Sequence, residues 1–155
     1  MILGRRSSKR ERPQPATSRD LRETGKDLVA LVEDTRRRRI AAEAAGQVRG
    51  RHFTEWIPLL DQMRKEKRDD DALALLLECI GATERAAAIE GLDPAPGYTE
   101  RAAIIYHRRR NYDAEIAIID GLTAAMPPSR RSTEPDDKLV KRRRRAVELR
   151  EGASR

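Results

Sequence analysis

Two strips of residues in the middle of the chain have the composition of a binding surface. In each strip the residues recur at positions i, i+4, i+7 and i+8, which places them on one face of a helix. The strips consist of Ile57, Asp61, Arg64 and Lys65, and of Glu100, Ile104, His107 and Arg108. The cationic members, Arg64, Lys65, His107 and Arg108, could together bind a carboxylate or an acidic peptide. The alternative interpretation is that these charges only solvate a helix face.

Runs of arginine suggest a second kind of chemistry, the binding of nucleic-acid phosphates. The candidate contacts are Arg36, Arg37, Arg38, Arg39, Arg142, Arg143, Arg144 and Arg145. A further run covers residues 108–110. Consecutive residues of a helix point in different directions, so at most about two of four face one phosphate backbone. A solubilising role, or the docking of a partner, is the alternative for these runs.

Catalytic and metal-binding motifs are incomplete. The segment Gly25-Lys26-Asp27 lacks the first glycine, the Ser/Thr and the preceding strand of a phosphate-binding loop. The run Asp69-Asp70-Asp71 lacks the alternation and the terminal glutamate of a calcium loop, and it suits the start of a helix. The single cysteine, Cys79, cannot supply a zinc finger and is expected to be a buried apolar residue. We therefore expect no enzyme activity, no cofactor and no metal.

Composition and charge indicate a helical protein with basic ends. The chain has 155 residues, 3% aromatic residues and many Ala, Leu, Arg and Glu, which favours helix over sheet. The net charge is +7 for residues 1–52, −5 for residues 53–127 and +5 for residues 128–155. Basic flanks around an acidic centre are typical of interaction tails. No apolar run approaches the roughly 18 residues that span a bilayer, so we expect a cytoplasmic protein without a membrane partner.

Apolar periodicity and breaker residues predict the organisation of the chain. The predicted helices cover residues 18–45, 54–67, 69–90, 98–109, 111–125 and 136–151. Residues 1–16 are predicted to be a disordered basic tail, residues 17–46 an N-terminal helix and residues 53–127 the helical core. Residues 128–155 are predicted to be a linker and a basic helix. A linker is also predicted for Gly46–His52, and Thr54 is the predicted N-cap of the second helix.

The core resembles the tetratricopeptide repeat, a family of stacked helical hairpins. The residues that match its pattern are Trp56, Leu59, Ala72 and Leu76 in the first unit, and Tyr106, Tyr112, Ile119 and Pro127 in the second. The residues that depart from it are Leu60, Met63, Thr99, Ala103 and Glu115, the last of which replaces a small residue. Aligned positions are 43 residues apart, compared with about 34 in the family.

The resemblance implies an all-α, right-handed helical-hairpin repeat with flanking helices. Members of the family commonly bind extended peptides on the concave face lined by the first helix of each repeat, where the two strips would lie. We therefore expect a non-catalytic protein–protein interaction scaffold whose partner is a protein or an acidic peptide. The alternatives are a nucleic-acid-associated or regulatory protein that uses its arginine-rich flanks, and a structural homo-oligomer. Self-association is plausible because two repeats leave open ends.

Overall fold

The computed structural model describes residues 17–132 and 137–153. The regular structure within these ranges is almost entirely α-helical, as predicted. The tail predicted for residues 1–16 lies outside the described residues, as do residues 133–136 of the predicted C-terminal linker. Contacts divide the chain into two units, residues 1–35 and residues 36–155.

The described helices follow the predicted ones closely. They are α1 (Ser18–Ala45), α2 (Ile57–Lys65), α3 (Asp69–Glu90), α4 (Pro96–Arg108), α5 (Tyr112–Ala125) and α6 (Lys138–Ala153). The other regular elements are the strands β1 (Gln47–Val48) and β2 (Arg51–His52) and the 3₁₀ turns Phe53–Trp56 and Pro128–Arg130. In the part of the chain that the structure describes, no helix has both the length and the apolar character needed to cross a bilayer.

The described part of the first unit is Thr17 and the N-terminal part of α1. Its helix is capped by Thr17, whose hydroxyl accepts from the Asp20 amide at 3.2 Å while the Asp20 carboxylate accepts from the Thr17 amide at 2.8 Å. Hydrogen bonds from the Thr17 hydroxyl and amide lower the pKa of Asp20. An apolar stripe of this segment is between 56% and 66% exposed. Its residues are Leu21, Leu28, Leu31 and Val32.

The predicted linker Gly46–His52 is wrong, because these residues form a β-hairpin. β1 pairs antiparallel with β2, and the two residues between them, Arg49 and Gly50, have φ of 50° and 81°. Positive φ at both turn residues is the geometry of a type I′ turn, which usually carries Asn-Gly or Asp-Gly. Arg-Gly is a weaker signal of the same turn, so the two short strands were missed.

The predicted helix start at Thr54 is also wrong. Residues Phe53–Trp56 form a 3₁₀ turn, and α2 begins at Ile57 with Pro58 in its first turn. A helix capped at Thr54 would need the Pro58 nitrogen to donate to the Thr54 carbonyl, and proline has no N–H to donate. Because of this proline, the α-helical hydrogen bonds begin later in the chain and α2 starts at Ile57.

The core of the second unit lies where α2, α3 and α4 meet. Its buried residues are Val48, Leu60, Met63, Ala72, Leu75, Leu76, Cys79, Ile80, Ala82, Tyr98, Ala102 and Ile105. Two hydrogen bonds attach the preceding hairpin and turn to this core. The Trp56 indole N–H donates to the Val48 carbonyl at 3.0 Å, and the Tyr98 hydroxyl donates to the Phe53 carbonyl at 3.0 Å.

Each helix from α2 to α6 packs against the next one in the chain. The turn between α2 and α3 has the same conformation as the turn between α4 and α5. Lys67 and Arg110, which are 43 residues apart, both have φ of 56°. In each turn the amide of the following residue donates to the carbonyl five residues back, at 2.9 and 3.0 Å. Both turns therefore end their first helix with the same left-handed C-terminal motif.

Removal of a core side chain from α3 should destabilise the protein strongly. Leu76 is 2% exposed, so Leu76→Ala leaves a cavity and should lower the free energy of unfolding by about 2–5 kcal/mol. Leu77 is the matched control, since it lies on the same helix and is 40% exposed. Leu77→Ala should cost less than about 1 kcal/mol. Urea unfolding of both variants measures the difference, and equal losses would contradict the assignment of Leu76 to the core.

Stability should fall at alkaline pH because of the core thiol. Burial raises the pKa of Cys79 from 9.0 to about 11. The folded state therefore holds the thiol proton more tightly than the unfolded state does. The protonated thiol contributes its full share to the free energy of unfolding below pH 9, and this contribution is lost between about pH 9 and pH 11. Cys79→Ala should reduce the decline of unfolding free energy over that interval. Burial also raises the pKa of Tyr98, which should preserve part of the decline. An unchanged slope in the alanine variant would contradict this account.

Candidate functional site

Helices α2, α3 and α4 form a groove with an apolar floor and a charged rim, here called the α2–α4 groove. Its lining residues are Leu60, Arg64, Asp69, Ala72, Leu76, Arg101, Ile104, Ile105 and Arg108. The cavity in the groove has a volume of about 60 Å³. This is well below the roughly 300–1,000 Å³ of small-molecule sites. The cavity therefore suits one side chain of a longer ligand better than a cofactor.

The rim of the α2–α4 groove carries three arginines, two of which are in ion pairs. Arg101 pairs with Asp61 at 3.0 Å, and Arg108 pairs with Asp69 at 2.8 Å. Arg64 is exposed and forms no ion pair with the described residues. Ion pairs at such exposed positions are worth about 0–1 kcal/mol, so a ligand carboxylate can compete for these guanidinium groups. Arg64 is available without breaking any ion pair.

Half of the predicted strip residues converge on the α2–α4 groove. Arg64, Ile104 and Arg108 line it, and Asp61 joins its rim through Arg101. Arg101 was not among the predicted strip residues. It lies seven residues before Arg108 and therefore on the same helix face. Asp69 was interpreted only as a helix-start residue, and its contact with Arg108 joins α3 to α4.

The other four strip residues lie outside the lining of the groove. Ile57 is 40% exposed at the start of α2, and Lys65 is exposed at its end. Glu100 forms an ion pair with Lys138, and His107 bonds to Glu115. The two strips therefore do not act as one continuous surface, because α4 directs Glu100 and His107 toward α5 and α6.

A buried carboxylate joins the last three helices. Glu115 on α5 is 0% exposed, and each of its oxygens has a cationic or proton-donating partner from another helix. One oxygen lies 2.8 Å from Nδ1 of His107 on α4, and the other accepts from a guanidinium nitrogen of Arg142 on α6 at 3.1 Å. Because a carboxylate only accepts hydrogen bonds, Nδ1 of His107 must carry the proton.

The placement of Glu115 explains why a glutamate is tolerated at this buried position of α5. The aligned residue 43 positions earlier is Ala72, which is 4% exposed and packs in the apolar core. A buried charge is tolerated only when it is paired and hydrogen-bonded, and His107 and Arg142 meet that requirement. The second hairpin therefore has a polar contact with α6 where the first has apolar packing.

The C-terminal arginine run is largely engaged in ion pairs within the protein. Arg142 binds Glu115, Arg143 binds Asp120 at 2.5 Å, and Arg145 binds Glu148 at 3.3 Å. The contact with Asp120 raises the pKa of Arg143. Arg144 is exposed, as are all four residues of the run 36–39 in α1.

The chemistry of the described side chains does not point to a metal. No group of three or more His, Cys, Asp or Glu residues within residues 17–132 and 137–153 is arranged to hold a metal ion.

A scan against protein-family models, a search of curated proteins and a search of solved structures return no match to this chain. Any function must therefore be argued from the geometry of the groove and of the charged contacts.

Neutralisation of Glu115 should destabilise the packing of α4, α5 and α6. Glu115→Gln leaves Arg142 beside a neutral amide, and loss of one partner of a buried pair costs about 3–5 kcal/mol. Arg142 is 24% exposed in its side chain, so we expect a cost near or below the lower end of that range. The matched control is Asp120→Asn, which breaks an exposed pair and should cost less than about 1 kcal/mol. Chemical denaturation measures both, and similar costs would contradict the structural role of Glu115.

Proposed function

We propose that this protein is a non-catalytic interaction scaffold of two tetratricopeptide-like hairpins that binds a partner segment in the α2–α4 groove. The observation that carries the proposal is the groove itself, where an apolar floor lies beside Arg64, whose guanidinium forms no ion pair within the described part of the chain. The groove is formed by the first helix of each hairpin, α2 and α4, together with α3. This is the position at which the resemblance implies peptide binding.

The repeated turn supports the tetratricopeptide-like interpretation of the core. The left-handed residues Lys67 and Arg110 are separated by 43 residues, the same offset that aligns the two sequence units. Aligned core positions are also buried alike: Leu76 and Ile119 are each 2% exposed. Shared turn geometry and shared burial are the features expected of two copies of one supersecondary unit.

The chemistry of the α2–α4 groove favours a segment that combines an apolar side chain with a nearby carboxylate. Ile104 is 37% exposed at the edge of the groove and extends its apolar surface. Arg64 can donate a charge-assisted hydrogen bond without losing an internal partner, and Arg101 and Arg108 can exchange their exposed partners for a ligand. A protein partner is favoured over nucleic acid because the floor of the groove is apolar, whereas binding of a nucleic-acid backbone depends on phosphate contacts.

Selection from a phage-displayed library of random linear peptides against the full-length protein tests the proposal. The selected peptides should carry an acidic residue close to an apolar one. Arg64→Ala should weaken a selected peptide about tenfold in fluorescence polarisation, because one charge-assisted hydrogen bond of about 1.4 kcal/mol is lost.

The matched control for that experiment is Lys65→Ala. Lys65 is an exposed cation next to Arg64 and lies outside the groove lining, so its removal should leave the affinity within about twofold. Failure to select any peptide would contradict the scaffold proposal. Equal weakening by both variants would contradict the assignment of the site to the groove.

A further inference from the structure

A second recess, here called the anion recess, lies where α4, α5 and α6 meet. It is lined by His107, Glu115, Lys138, Lys141, Arg142 and Arg145 and has a volume of about 420 Å³. This volume lies within the roughly 300–1,000 Å³ range of small-molecule sites. Sequence reasoning assigned His107 to peptide binding and the arginines to nucleic acid. The fold brings them together at one place, away from the α2–α4 groove.

The cations of the anion recess share one face of α6. Lys138, Lys141, Arg142 and Arg145 follow the spacing i, i+3, i+4 and i+7, so their side chains form one strip. Arg143 lies outside this strip and binds Asp120 on α5. Arg144 is exposed and does not line the recess. The strip therefore contains part of the basic run of α6, and Arg143 and Arg144 lie outside it.

The charges around the anion recess leave capacity for a ligand. Both oxygens of Glu115 already bind His107 and Arg142, so this carboxylate forms no ion pair with Lys138 or Arg145. The pairs of Lys138 with Glu100 and of Arg145 with Glu148 are exposed and of the weak, exchangeable kind. Nε of Arg142 is buried and has no acceptor among the described residues.

The cationic strip is short, which suits a compact anion better than a nucleic-acid polymer. Glu100 lies against its Lys138 end, and Glu148 lies against its Arg145 end. Carboxylates thus bound the strip at both ends, whereas a groove that follows a nucleic-acid backbone needs a continuous positive track. No Phe, Tyr or Trp is among the lining residues, and the imidazole of His107 is already engaged by Glu115 and by the ring of Tyr112.

We propose that the anion recess binds a small phosphorylated anion through its phosphate group. Several cations that converge from one helix face suit the multiple charged oxygens of phosphate, and arginine can donate to two of them at once. The site is separate from the α2–α4 groove, so its ligand and a peptide partner could bind the same molecule.

The test is a nuclear magnetic resonance titration of the full-length, isotope-labelled protein at constant ionic strength. The probes are inorganic phosphate, tripolyphosphate and a single-stranded oligonucleotide. Tripolyphosphate should give saturable shifts of amides in α6 and at the end of α4, and it should bind more tightly than inorganic phosphate. Arg145→Gln and Lys141→Gln should each weaken tripolyphosphate at least about fivefold, since each removes a direct charge contact.

The matched control is Arg144→Gln, which removes the same charge from the adjacent residue on another face of α6. It should change the affinity less than about twofold, because exposed charges act weakly at a distance in salt. Absence of saturation with both phosphate probes would overturn the proposal. So would equal weakening by Arg144→Gln and Arg145→Gln, or saturable binding of the oligonucleotide alone. Arg64→Ala should leave this titration unchanged, which separates it from the test of the α2–α4 groove.

Discussion

The buried carboxylate of Glu115 is the contact on which the C-terminal half of the second unit depends. Ala146 is the one fully buried residue among the described residues of α6, and the other apolar residues of this helix are at most partly buried. Glu115 adds a fully buried polar contact, because it binds Arg142 of α6 and His107 of α4 from a position inside α5. Because His107 binds Glu115, it does not line the α2–α4 groove with the other residues of its predicted strip. The same contact brings the cationic face of α6 close to α4.

The glutamate at position 115 thus lies between two surfaces, some of whose residues the sequence analysis placed in the same predicted strip. In the first hairpin the equivalent residue is Ala72, and the apolar α2–α4 groove lies beside it. In the second hairpin a glutamate occupies this position, and a cationic recess lies beside it. We infer that a shared scaffold supports a mixed apolar and cationic groove at one end and an anion recess at the other.

Local patterns predicted the helices well, because helix periodicity and caps are encoded within a few residues. The bounds of α1 and α3 agree with the prediction, whereas α2 ends at Lys65 and not at the predicted Lys67. The hairpin before α2 was missed because its Arg-Gly turn lacks the usual Asn or Asp. The candidate site was predicted only in half, since spacing shows which residues share a face of one helix but not which neighbour that face meets. Glu115 was noted as a departure, yet its partner Arg142 lies 27 residues away and no local pattern pairs the two.

A double-mutant cycle between Glu115 and Arg142 tests this account most directly. The four proteins are the unaltered chain, Glu115→Gln, Arg142→Met and the double variant, and the free energy of unfolding is measured for each. If the two side chains are partners in a buried pair, the double variant should lose less than the sum of the single variants, by about 1–3 kcal/mol. Additive losses would show that Glu115 and Arg142 act independently, and they would contradict the role of this carboxylate in holding α6 against α4 and α5.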